Sequence, residues 1–180
     1  MPMLNQKMVE ALNGQMSNEF YSAYLYLSMS AASAAMGLKG AANWFMVQYQ
    51  EEMVHFMKFY DYVLSQGGAV TLAAVKAPPS AFKSLLDMFE QTLNHEKFIT
   101  KCINELSDLA LKEKDHATAV LLQWYVIEQV EEEANDNDVL ARLRLVGKDG
   151  NGLFMLDKDL AMRVFTPPAT AAAGGGAPAA

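Results

Sequence analysis

Apolar residues return every three or four positions along four long stretches of this chain, the spacing of a helical face and not the alternation of a strand. Residues 5–35 form the first predicted helix, closed by the glycines of Met36-Gly37-Leu38-Lys39-Gly40, and residues 41–66 the second, closed by Gly67-Gly68. Ser80 caps a third over 81–114, and Asp115 caps a fourth over 116–146. Gly147, Gly150 and Gly152 then punctuate the chain before a short amphipathic piece at 153–165. Segments of about 26 to 34 residues are roughly 40 to 50 Å long, so the four suit packing side by side. Short glycine-bearing links make antiparallel hairpins of helices one and two and of helices three and four. The link at 69–79, ending in Pro78-Pro79, is long enough to span about 35 Å when extended. The expected fold is all-α: a four-helix bundle with one long crossover and a short fifth C-terminal helix, over residues 1–165.

Each long helix carries a polar residue where its core stripe should be apolar. In the second, Phe45, Tyr49, Phe56, Phe59 and Val63 mark the buried face; Glu52 falls in its middle, and His55, three residues on, projects from the same side. In the third, the stripe of Phe82, Leu85, Leu86, Phe89, Leu93, Ile99, Ile103 and Leu106 is broken once, by Glu96. The first places Glu19 between Leu12 and Tyr26, with Phe20, Ala23 and Leu27 beside it. The fourth has Gln129 and Glu132 midway along the face of Leu122, Tyr125, Val139 and Leu143, with Glu128 and Glu131 alongside.

Burying an ionised carboxylate costs several kcal/mol, so several together would unfold an ordinary domain unless cations neutralise them. Lys58 and Lys101 lie off the stripes and Lys97 is next to Glu96, so lysine and arginine are scarce at the helix centres and a bound metal is the better compensation. Oxygen-rich coordination with one imidazole suits Fe(II), Mn(II) or, less selectively, Zn(II). Di-iron carboxylate bundles take one Glu from each of two helices and a Glu-x-x-His pair from each of the other two. Glu19 and Glu96 supply the single acids and Glu52-Met53-Val54-His55 one pair; Gln129-Val130-Glu131-Glu132 stands in place of the other.

Composition removes other classes. The 180 residues carry 14 basic and 21 acidic side chains, a net charge of −7, with no run of Lys and Arg, so nucleic acid is not an expected partner. The single Cys102 excludes an internal disulfide and fits a reducing, cytoplasmic setting. No stretch is apolar for the roughly 18 to 20 residues of a membrane span, and the amino terminus lacks the pattern of a secretory signal. Residues 166–180, rich in Ala, Gly and Pro, are expected to be a disordered low-complexity tail.

Asn18-Glu19-Phe20-Tyr21-Ser22, Gln50-Glu51-Glu52-Met53-Val54-His55, Asn94-His95-Glu96, Gln123-Trp124-Tyr125-Val126, Glu128-Gln129-Val130-Glu131-Glu132-Glu133 and Gly152-Leu153-Phe154 occur in this order. With these motifs the chain resembles the prokaryotic non-haem ferritins over residues 4–165. The resemblance implies a ferritin-like bundle that assembles into a homo-oligomeric cage of about 24 copies. It implies oxidation of Fe(II) by dioxygen or hydrogen peroxide, and storage of the ferric product as mineral. One iron would be held by Glu19, Glu52 and His55, and the second by Glu52, Glu96 and Glu132, with Gln129 close by and Tyr26 beside the centre. A third iron site would use Glu51, Glu128, Glu131 and Glu132.

Departures from related proteins carry expectations too. Bacterioferritins repeat Glu-x-x-His on the fourth helix, where this chain has Gln129 and Glu132; the difference argues for a site that passes iron onward. Met53, at the position of their haem-ligating methionine, is read as packing, so no haem is expected. Ala119 and Leu122 stand where animal ferritins line their iron channel with acids, leaving Asp136 and Asp138 as candidates for iron entry. Glu133 is expected in solvent, His95 and His116 at the surface or in structural roles, Cys102 as a small buried apolar residue, and Trp124 and Tyr125 in the core. The alternative activity is a bacterioferritin-like or di-iron oxidase or peroxidase reaction without mineral storage.

Overall fold

The computed structural model describes residues 4–167, which form five helices: α1 (Gln6–Ala35), α2 (Lys39–Ser65), α3 (Leu85–Lys112), α4 (His116–Val146) and α5 (Gly150–Leu160). Helix α1 starts where the Asn5 side chain accepts the Met8 N–H, and α4 where Asp115 accepts that of Thr118. Gly37 and Gly67, with φ of 82° and 73°, take the left-handed conformation that closes α1 and α2. The low-complexity tail expected at 166–180 lies, from residue 168 on, outside the described residues.

Two boundaries differ from the sequence expectation. Helix α3 begins at Leu85, capped by Ser84 and not by Ser80. The reason is the third residue after each serine. Asp87 gives its N–H to Ser84 Oγ at 3.1 Å and returns its carboxylate to the Lys83 N–H at 3.0 Å, whereas Ser80 is followed by Lys83, which can return nothing. Helix α5 begins at Gly150 and ends at Leu160, because Asp149 accepts the N–H groups of Asn151 and Gly152; two of the three punctuating glycines are therefore helical.

Helices α1 and α2 pack as one antiparallel hairpin and α3 and α4 as the other, with α1 also against α3 and α5 laid across α2 and α4. Residues 66–84 return along the outside of α1, so that α2 and α3 run parallel. Asn13 fixes the start of this crossover, donating to Ala69 O and accepting from Thr71 N–H, and Ser28 fixes its end by donating to Pro79 O. Helix α5 docks through the Asp157 carboxylate, which accepts the Ala41 N–H at 2.9 Å; the Asp157 carbonyl lies so close to Gly40 that no side chain fits there.

The core is two apolar clusters. One gathers Tyr26, Met29, Trp44, Phe45, Phe89 and Leu140 near α5; the other gathers Met8, Leu12, Phe59, Ile103, Leu122 and Tyr125 at the opposite end. Between them lies a belt of buried polar side chains: Gln15, Glu19, Gln48, Glu52, His55, Glu96, Gln129, Glu132 and Asp136. Phe20 and Leu27, expected beside the α1 stripe, are exposed.

Replacing Ser84 by Ala should cost about 1 kcal/mol and lower Tm by roughly 2–4 °C, whereas Ser80→Ala should leave it unchanged. Thermal melts of the two variants distinguish the caps; equal effects would contradict the assignment.

Candidate metal centre

Each helix of the bundle contributes to the polar belt, and the positions follow from helical spacing. On α2, Glu52 and His55 are three apart and buried together, with His55 Nδ1 3.4 Å from Glu52 Oε2. From α1, Glu19 Oε2 comes within 4.0 Å of the same nitrogen. From α4, Glu128 Oε1 lies 3.8 Å from His55 Nε2. Two sets of ligand atoms therefore converge within 4.8 Å, Glu19 with Glu52 and His55, and His55 with Glu128 and Glu132.

Three of the buried acids are held by glutamines. Gln15 donates to Glu19 at 2.7 Å, Gln48 to Glu132 at 2.9 Å, and Gln129 to Glu96 at 3.2 Å. Glu96 also accepts the Tyr26 hydroxyl, and the Tyr125 hydroxyl donates to the His55 carbonyl at 2.7 Å. Such partners orient ligands and raise their affinity for a metal. Glu52 Oε2, at the junction of the groups, is buried without a hydrogen-bond partner.

The electrostatics are those of acids without enough cations. Burial, reinforced by Glu52, pushes Glu19 well above the usual carboxylate range; burial, with Glu96 and Glu132, does the same to Glu52. Glu96 is raised to about 8 by burial and Glu132, and Asp136 to about 9 by burial, Glu96 and Glu132. Burial raises Glu51 to about 7, against the pull of Arg163. A divalent cation displacing these protons would relieve the desolvation and the repulsion at once, and an oxygen-rich set with one imidazole suits Fe(II). The residues fit the metal.

Glu19, Glu52, His55, Glu96, Gln129 and Glu132 are all buried in this belt, and Tyr26, in the apolar cluster that borders it, reaches Glu96 with its hydroxyl. Glu51 and Glu128 are half-buried at its edge. With Val54, His55, Trp124 and Thr166 they line an opening of about 220 Å³. Glu131 is exposed and enters neither ligand cluster.

Asp136 and Glu133 lie deeper and Cys102 shallower than expected, whereas His95, His116 and Trp124, the last packed against the core, are placed as expected. Asp136, a candidate for iron entry, is fully buried beside Glu96 and Glu132, while Asp138 is exposed, 3.9 Å from Arg142. Glu133 is half-buried and accepts the Thr100 hydroxyl at 2.6 Å. Trp124 is half-buried, its ring edge-on to His55 and covered by Lys58, and Cys102 is also half-buried. His116 is exposed, and His95 is structural: bonded to Ser22 Oγ at 2.7 Å and brought down to about 4 by burial and Lys76, it lines a separate cavity of about 620 Å³ under the crossover.

The sequence reading misses Gln15, Gln48 and Arg163. The glutamines carry a signal, since each lies four residues before a buried glutamate of its own helix. Arg163 carries none. It comes from beyond α5, bonds Glu51 at 2.6 Å, lies 4.4 Å over the Trp44 ring, and supplies a cation that the helix centres lack.

Among the described residues, no helix is long and apolar enough to cross a membrane. A sequence profile of the ferritin-like domain matches residues 9–146. A probable bacterial non-haem ferritin-like protein of Haemophilus influenzae is 44% identical over 158 residues, covering 88% of this chain and 96% of that one. The bacterial non-haem ferritin of Staphylococcus saprophyticus is 41% identical over 163 residues, covering 91% and 98%. Among solved structures, an engineered closed form of the Archaeoglobus fulgidus ferritin aligns with a TM-score of 0.89 at 53% identity, covering 91% of this chain and 99% of that one. The open-pore ferritin of the same archaeon aligns with a TM-score of 0.89 at 52% identity, covering 89% and 99%.

The raised acids set a sign for pH dependence. Glu96 and Asp136 keep their protons in the folded apoprotein up to about 8 and about 9, while the unfolded chain releases them near the ordinary carboxylate values. Their contribution to stability is therefore complete below about 4 and is lost as pH rises through 8 to 9. His95, depressed to about 4, acts below about pH 6.5, so the informative window is pH 7 to 9. Metal-free protein should melt at lower temperature at pH 9 than at pH 7, and Asp136→Asn should flatten the slope. Calorimetry in chelator checks this; a Tm rising over that window would contradict it.

Proposed function

The chain belongs to the ferritin family, and from that premise we propose that it is an iron-storage ferroxidase, oxidising Fe(II) at a two-iron centre and keeping the ferric product as mineral inside a homo-oligomeric cage of about 24 copies. The observation that carries the reading is the burial, in one belt with His55, of acids from all four bundle helices, with Glu52 Oε2 lacking a hydrogen-bond partner.

Fe(II) is the substrate. Glu19, Glu52 and His55 hold one ion, and Glu52, Glu96 and Glu132 hold the second, so that Glu52 bridges. Hard anionic oxygens favour Fe(III) over Fe(II), and two neighbouring ions together give dioxygen or hydrogen peroxide two electrons. Gln15, Gln48 and Gln129 keep three carboxylates oriented, and Tyr26 keeps Glu96 in place through its hydroxyl.

Glu51 and Glu128, at the half-exposed edge with His55, are where iron leaves or waits as a third ion, Glu131 joining from the surface. Gln129 and Glu132, standing where a second Glu-x-x-His pair would hold iron more firmly, suit passage over retention. Reduced Cys102 and an acidic surface fit a cytoplasmic protein that gathers Fe(II).

Aerobic addition of Fe(II) should give a large, iron-filled particle by sizing. Glu96→Ala and His55→Ala should slow the fast phase of oxidation roughly ten- to a hundredfold in stopped flow, and Glu128→Ala should alter mainly the slower stages. Identical traces for wild type and all three variants would overturn the assignment. Turnover that leaves only a small species and precipitate would instead favour an oxidase without storage.

A further inference from the structure

One buried acid belongs to neither ion of the proposed centre. Asp136 stands four residues after Glu132 on α4, one turn further along the same face and on the side away from Glu128. It is 0% exposed, and neither carboxylate oxygen has a hydrogen-bond partner. Glu19, Glu96 and Glu132 each accept a glutamine amide; Asp136 accepts nothing. Gln48 is also 0% exposed, and while its Nε2 reaches Glu132 Oε2 at 2.9 Å, its Oε1 is without a partner.

Protonation does not complete this arrangement. A neutral Asp136 has an O–H that needs an acceptor and a carbonyl that needs a donor, and the structure supplies neither. The cation whose field Asp136 feels, Arg163, is bonded to Glu51 and keeps Nη1 buried and unpartnered. Buried polar groups are nearly always satisfied, so three orphaned oxygens beside Glu132 call for a ligand.

We propose that Asp136, Glu132 and the side-chain carbonyl of Gln48 form a further binding site for a divalent cation, beside the centre and sharing Glu132 with it. All donors are oxygens and none is imidazole, a set that suits a hard ion such as Mn(II) or Fe(II). Binding releases the Asp136 proton. For a cation already inside the bundle, the site is a holding position at the end of the polar belt nearer α5, distinct from the Glu51 and Glu128 edge. It shares Glu132 with the proposed function but requires no oxidation.

The test is binding of Mn(II) alone to the full chain, by anomalous scattering from soaked crystals and by counting bound ions in an electron paramagnetic resonance titration. Wild type should show a peak between Asp136 and Glu132 besides those at the centre. Asp136→Asn should lose that peak and one ion per chain while keeping the Glu19, Glu52 and His55 peak; Gln48→Leu should weaken the added site roughly tenfold. A filled centre with no density at Asp136, a water joining Asp136 to Arg163 in its place, or an unchanged ion count in Asp136→Asn would each overturn the proposal. A peak at Asp136 with an empty centre would uphold it and refute the two-iron reading; no peak at either place would refute both.

Discussion

The constraint on which this protein turns is the repulsion of like charges in a dry interior. Glu19, Glu52, Glu96, Glu132 and Asp136 are all buried, between two apolar clusters that exclude water from above and below. Acids so placed either keep protons far above their usual range or acquire cations. In the metal-free fold Glu19, Glu52, Glu96 and Asp136 take the first course, and a divalent cation bound among them would offset that cost. Stability without metal and binding of metal are two readings of one interaction.

The bundle tolerates this belt because it is narrow and locally supported. Aromatic and aliphatic packing at each end, including Phe59 stacked on Tyr125 and Trp44 against Phe89, supplies the burial that the belt cannot. Within the belt, glutamine amides hold Glu19, Glu96 and Glu132 and the Tyr26 hydroxyl holds Glu96, so these three acids are oriented without a metal. The C-terminal segment adds the one guanidinium. Asn43 donates to the Arg163 carbonyl at 2.9 Å, which anchors Arg163 over Trp44 and against Glu51. A segment beyond the bundle therefore tunes the charge at the opening of the site.

Much of this was legible in the chain. The period of the apolar residues located four long helices and the fifth, and the same period exposed Glu19, Glu52, Glu96 and Glu132 as acids in the wrong place. Boundaries were less legible where two caps compete: Ser80 and Ser84 have equal side chains, and only the charge three residues later, Lys83 against Asp87, separates them. Glycine misled at Gly150 and Gly152, because a good cap at Asp149 outweighs their weak helix preference.

Residues at the rim of a stripe, such as Asp136 and Glu133, were misplaced because one helix's phase does not say how far its neighbour reaches around it. What the sequence determined by itself is the set of faces: helical period is a local property, so each segment declares which side it buries and which acids lie on it. Only the tertiary structure decided which atoms meet. His55 between Glu52 and Glu128, Gln48 against Glu132, and Arg163 returning to Glu51 are contacts between distant segments, set by how side chains interlock across helices, which no single segment encodes.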